Sequence, residues 1–156
     1  PGLAYTDLHL ASQIEPANKD VQQLLSEARR KHEIARCAEA LQKGADFEKM
    51  GEWRQALEQY RIALSIDPQH GQATLRAATA MSQLGMDPNE VRLHAQRAVD
   101  LDPKNADALV LLGRVLLDAG MKKQARKHCD DALALKPDHP EAKKLIKKLR
   151  WPFAGL

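Results

Sequence analysis

The chain has 156 residues, 44 % of them hydrophobic but only 4 % aromatic, with 29 % charged and a net charge of +3. A core so poor in rings must be built from Ala, Leu, Ile, Val and Met, which favours closely packed helices over a β-sandwich. Cys37 and Cys129 stand far apart with no CxxC pair, and no run of 18 apolar residues occurs, which excludes a disulfide framework and a membrane-spanning helix.

The chain opens without Met and without a secretory signal pattern, so it is expected to be a piece of a longer protein. Ala4, Leu8 and Ala11, followed by Pro16, predict a helix over residues 3–15. Their mutual offsets return at Ala56, Tyr60, Ala63 and Pro68, so this helix reads as the second member of a helix pair whose first member is missing. After Pro16 come Val21, Leu24, Leu25 and Ala28; after Pro137, at the same offsets, come Ala142, Leu145, Ile146 and Leu149. Both stretches read as amphipathic helices that cap a stack. No Gly or Pro lies between Pro16 and Gly44, which predicts one helix from about Lys19 to Met50, with Arg29, Arg30, Lys31, His32 and Glu33 as its exposed waist. The alternative is a break near His32.

From Cys37 onward the chain repeats. Pro68, Pro103 and Pro137 stand at steps of 35 and 34 residues; Gly51, Gly85 and Gly120, Phe47, Met81 and Leu116, and Ala63, Ala98 and Ala132 keep the same beat. A period of about 34 residues made of two helices and a turn marks a repeat array. In the first unit Ala40, Gly44 and Phe47 line one helix, Gly51 ends it, and Ala56, Tyr60 and Ala63 line a second that stops before Pro68. The third unit runs through Leu109, Leu112, Gly113, Leu116, Gly120, Ala125, Cys129, Ala132 and Pro137. The middle unit has one extra residue, which the spacings place within Met86-Asp87-Pro88-Asn89-Glu90. There Asp87 and Glu90 read as a capping box with Pro88 at the first helical position.

This pattern of small and apolar marks (Ala40, Gly44, Phe47, Ala56, Tyr60, Ala63, Pro68 and their counterparts) resembles the tetratricopeptide repeat family over residues 37–150. The middle unit departs most, with Ala78 in place of the usual glycine and Ala95 in place of the usual aromatic. The resemblance implies an all-α, right-handed superhelical solenoid of antiparallel helix pairs. Its expected divisions are a trailing helix and cap of an upstream stack (1–30), a helical connector (31–36), three repeats (37–70, 71–105, 106–139), a capping helix (140–150) and a tail (151–156). It also implies a scaffold or adaptor in which the first helix of each pair lines a concave groove that holds a peptide or helix of a partner protein. The candidate groove residues are Leu41, Ala45 and Glu48, then Gln72, Leu75, Arg76, Thr79 and Ser82, then Asp107, Val110, Arg114 and Leu117. Leu41, Leu75, Val110 and Leu117 are the candidate apolar anchors, and Arg76 and Arg114 the candidate carboxylate holders. One family subset grips acidic chaperone tails with a clamp of Lys, Asn and Arg. The matching slots here hold Leu41, Ala45, Arg76, Asp107 and Leu111, which argues against that function.

Catalytic and metal motifs are lacking. His9, His32, His70, His94, His128 and His139 are scattered, with no HExxH, P-loop, GxSxG or GxGxxG. Neighbours in His128-Cys129-Asp130-Asp131 would point in different directions on a helix. No enzyme activity, cofactor or metal is expected. An alternative partner is nucleic acid or an anionic surface, met by the basic end (Lys122, Lys123, Arg126, Lys127, Lys143, Lys144, Lys147, Lys148, Arg150); a soluble cap is the preferred explanation of those lysines. Self-association through the N-terminal helix, or through the Trp151/Phe153 tail, is a further expectation. A cytoplasmic location is expected from the unpaired cysteines.

Overall fold

The computed structural model describes residues 2–14 and 16–150. Among these residues eight helices follow one another: α1 (Gly2–Ile14), α2 (Lys19–Lys49), α3 (Trp53–Ile66), α4 (Gly71–Gln83), α5 (Pro88–Leu101), α6 (Ala106–Asp118), α7 (Lys122–Leu135) and α8 (Pro140–Arg150). Each packs on its neighbour in sequence, and α8 also reaches α6. No strand occurs among the described residues. The result is a right-handed solenoid of antiparallel helix pairs.

Two turn chemistries build the repeat. After each first helix stands a glycine at positive φ: Gly51 (76°), Gly85 (64°) and Gly120 (77°). The amide three positions past the helix then bonds back into its last turn: Glu52 N to Phe47 O (2.9 Å), Met86 N to Met81 O (3.1 Å) and Met121 N to Leu116 O (2.8 Å). This is the Schellman closure, which asks for a residue without Cβ at the left-handed position. After each second helix a proline turn leads into a polar N-cap: His70, Asn105 or His139. The extra residue of the middle repeat sits in the turn before α5. There Asp87 caps through the Asn89 amide (3.0 Å) and Pro88 opens the helix. The cap bond thus falls on Asn89, and no reciprocal bond from the Glu90 side chain forms among the described contacts.

Within each pair, size is traded across the contact. Gly44 lies under the Tyr60 ring, and Gly113 under Cys129. In the middle pair Ala78 replaces the glycine and Ala95 the larger partner, and both are fully buried. The departure of that repeat from the pattern is therefore compensated, because a larger floor meets a smaller lid. α2 is unbroken over 31 residues. Its N-terminal half carries α1, with Tyr5 stacked on His32 at 5.6 Å between ring centres and on His9 at 6.1 Å. Its C-terminal half carries α3.

A Cβ on Gly113 would stand 2.8 Å from Cys129 Sγ. Gly113→Ala is expected to cost about 1–3 kcal/mol, the usual range for overpacking. In a Cys129→Ala background the added cost is expected to fall to less than half, since Ala78 and Ala95 already coexist at the equivalent positions. Thermal or denaturant unfolding of the two single variants and the double variant tests this; an equal cost in both backgrounds would refute it.

Candidate functional site

Three polar links tie α2, α4, α6 and α8 in succession, the first helices and the cap to which the sequence assigns the inner wall. Glu48 on α2 pairs with Arg76 on α4 (2.8 Å). Arg114 on α6 donates to Ser82 Oγ on α4 (3.2 Å). His139 at the start of α8 donates from Nε2 to Asp107 on α6 (2.8 Å). Five of the sequence-selected wall residues, Glu48, Arg76, Ser82, Arg114 and Asp107, are thus brought together as a ladder between repeats.

The two candidate carboxylate holders are left in different states. Arg76 is neutralised by Glu48, whose Oε2 also accepts the Tyr60 hydroxyl at 2.6 Å. Burial, then the bond to Glu48, pushes the Tyr60 phenol well above its ordinary range, so it remains a donor. Arg114 meets only a neutral hydroxyl among the described contacts and keeps an uncompensated charge, half-buried on the wall.

The apolar candidates also separate. Leu75 and Val110 are 7 % and 5 % exposed and belong to the core; they stiffen the wall between repeats and are not free to receive a side chain. Leu41 and Leu117 are half-buried and only flank the core. Ala45 and Thr79 are half-buried, the latter bonded back to Leu75 O (2.9 Å), and Gln72 is exposed.

A feature that the sequence reading missed lies at the start of the wall. Arg30, Glu33, Ile34, Cys37, Ala38 and Leu41 on α2 face Ile66, Asp67 and His70 in the turn into α4, around a cleft of about 420 Å³. Ile34 is 60 % exposed beside it. The signal was available: Arg30, Ile34, Cys37 and Leu41 fall at helical spacing along one stripe. It was obscured because residues 29–33 read as a purely polar waist.

No group of His, Cys, Asp and Glu that could hold a metal ion occurs among the described residues. Cys129 is buried, and burial pushes its thiol up to about 11, with Asp130 adding to the rise; burial likewise raises Cys37, helped by Asp67. Burial pushes His128 down against the pull of Asp131. These are inert core thiols. In the folded chain Cys129 is expected to react with an aromatic disulfide reagent at pH 8 at least about a hundredfold more slowly than in denaturant; comparable rates would refute the assignment.

Residues 87–149 match the family model described as tetratricopeptide repeat. This stretch is of the tetratricopeptide repeat type. It is 36 % identical over 92 residues to the DnaJ homolog subfamily C member 7 homolog of Schizosaccharomyces pombe, a match that takes in 59 % of this chain and 19 % of that protein. Among solved structures it resembles the Arabidopsis OM64 tetratricopeptide domain (TM-score 0.71, 23 % identity, 76 % of this chain and 97 % of that one). It also resembles the first such domain of Spaghetti (RPAP3) bound to the HSP90 peptide SRMEEVD (TM-score 0.71, 21 % identity, 77 % of this chain and 94 % of that one). At these identities the likeness is one of fold. No helix among the described residues is long and apolar enough to cross a membrane.

Proposed function

We propose that this module is a non-catalytic scaffold or adaptor that captures a segment of a partner protein along its inner wall. An aliphatic side chain of the partner enters the Ile34/Leu41/Ile66 cleft, and an acidic group meets Arg114. The observation that carries this reading is the cleft itself, where exposed Ile34 borders an apolar recess at the mouth of the wall. Such anchors, with a few polar contacts to set direction, are how grooves of this kind hold peptides. Ala45, Thr79, Gln72 and Leu117 would line the path between them.

The solved relative Spaghetti holds an acidic chaperone peptide. For this chain we infer a different ligand. At the clamp slots Arg76 is already occupied by Glu48, Asp107 carries the wrong sign, and Leu111 is buried. The expected outcomes are no saturable binding of a labelled SRMEEVD peptide and capture of apolar-acidic peptides selected from a display library. Ile34→Glu or Leu41→Glu is expected to weaken the selected peptides at least about tenfold, Arg114→Ala about fivefold to tenfold, and Arg76→Ala little. Retention of affinity in Ile34→Glu and Leu41→Glu, or tight binding of SRMEEVD, would overturn the reading.

The basic end supports a second reading. Residues 119–150 hold ten Lys and Arg against four Asp and Glu, whereas residues 1–118 hold fourteen against seventeen. Contact with nucleic acid through this end would collapse between low and moderate salt, while the apolar cleft would tolerate the change. Self-association is the third: Leu10 and Ile14 on α1 are 60 % and 73 % exposed, while Trp151 and Phe153 lie outside the described residues. Through α1, it predicts a mass that rises with concentration in sedimentation and is held monomeric by Leu10→Glu; a constant mass would dismiss it. The buried free thiols support a reducing compartment such as the cytoplasm, a placement that imaging of the tagged whole protein would test.

A further inference from the structure

The caps of the inner helices differ in a way that carries chemistry. The first, second and third repeats hand over to α4, α6 and α8 through residues at one repeat position: His70, Asn105 and His139. Asn105 caps through its carbonyl oxygen, which accepts the Ala108 amide at 3.2 Å. His70 and His139 do the same work with Nδ1, accepting the amides of Ala73 and Ala142, each at 3.3 Å. An asparagine oxygen accepts at any ordinary pH. An imidazole nitrogen accepts only while its lone pair is free, and a protonated ring is a donor at both nitrogens.

We propose that His70 is a pH-sensitive cap: protonation withdraws the acceptor from Ala73 and loosens the first turn of α4, which follows directly on the His70 that lines the cleft. The sign follows from two effects that agree. The hydrogen bond is lost, and a positive charge is placed at the helix end where backbone amides already concentrate partial positive charge. Stability of this turn is present while the ring is neutral and lost as pH falls. Ordinary imidazoles change charge between about pH 5 and 8.

The groups around His70 are mixed. Arg30 and Glu33 of α2, Asp67 of the turn and the Cys37 thiol face the same cleft as His70. Arg97 of α5 reaches the turn but spends a donor on Pro68 O (2.8 Å). His139 is the internal contrast. Its Nε2 bonds to Asp107 of α6 at 2.8 Å, and Asp138 beside it is paired with Lys143 (2.8 Å). The ring that caps α8 is thus held by a carboxylate, whereas no carboxylate bond to His70 occurs among the described contacts. α6, capped by Asn105, is indifferent.

That acidification alters capture in the cleft rests on the peptide-binding reading; the switch itself does not. It is tested by amide exchange of the whole chain at pH 7.5 and 5.5, corrected for intrinsic rates, with no ligand present. Ala73 is expected to lose about fivefold of its protection at the lower pH, the equivalent of about 1 kcal/mol for one lost cap, while Ala108 in α6 is unchanged. His70→Asn, which installs the middle repeat's own cap, is expected to remove the dependence. If α4 and α6 respond alike, or if His70→Asn keeps the wild-type dependence, the proposal is overturned. Should that variant fail to fold, the ¹⁵N shift of His70 Nδ1 in the unmodified chain decides: a protonated Nδ1 at pH 7.5 refutes the cap, and an unprotonated one that gains its proton together with the loss of Ala73 protection supports it. Failure of peptide capture with an intact exchange response would count against the groove and leave the switch standing.

Discussion

The close approach of two helices inside each repeat is the constraint on which everything else rests. A glycine or alanine floor on the first helix meets a lid on the second: Gly44 with Tyr60, Ala78 with Ala95, Gly113 with Cys129. The summed size across the contact matters more than the identity on either side, because packing at interior density leaves little room for an extra methyl. The contact holds each pair as a unit, and the glycine turns at 51, 85 and 120 set the angle at which the second helix returns. A core with so few aromatic residues is sufficient because the helices themselves lie close.

Between pairs the logic changes from packing to polarity. Leu75, Val110 and Leu111 are buried in the common core, while Glu48–Arg76, Ser82–Arg114 and Asp107–His139 link the first helices and the start of α8. Surface ion pairs such as Glu48–Arg76 add little to stability; for the proposed capture, these links decide which charges are left free. Arg76 is largely spent, and Arg114 is not. The chemistry available to the proposed partner segment is therefore narrower than a list of cations and apolar residues would suggest.

The fold was legible because it is written in small residues with a fixed period. Ala56, Ala63, Ala98, Ala125 and Ala132 are essentially fully buried, and their spacing alone gave the helix pairs. The long helix α2 was legible from the lack of Gly and Pro between Pro16 and Gly44. The wall was legible only in part. A helical wheel tells which side chains leave the intrarepeat contact, and it singled out Glu48, Arg76, Arg114 and Asp107. It could not tell that Glu48 pairs with Arg76, Arg114 with Ser82 and Asp107 with His139 across 28 or 32 positions, nor that Leu75 and Val110 are buried. Those are relations between units, which a pattern read within one unit does not contain. His70 and His139 looked like scattered histidines for the same reason: their common role appears only when the turns are superposed on Asn105.

The uninterrupted α2 has a mechanical corollary. A helix of 31 residues spans about 46 Å at about 1.5 Å per residue, and it serves as a common axle for α1 near one end and α3 near the other. On such an axle, every residue gained or lost near Lys31 would swing one partner about the shaft by about 100°, returning to its starting bearing only after roughly 18 residues, or five turns. The angular setting of the two ends is thereby a matter of counting, and length variation in this stretch would be felt as rotation long before it was felt as reach.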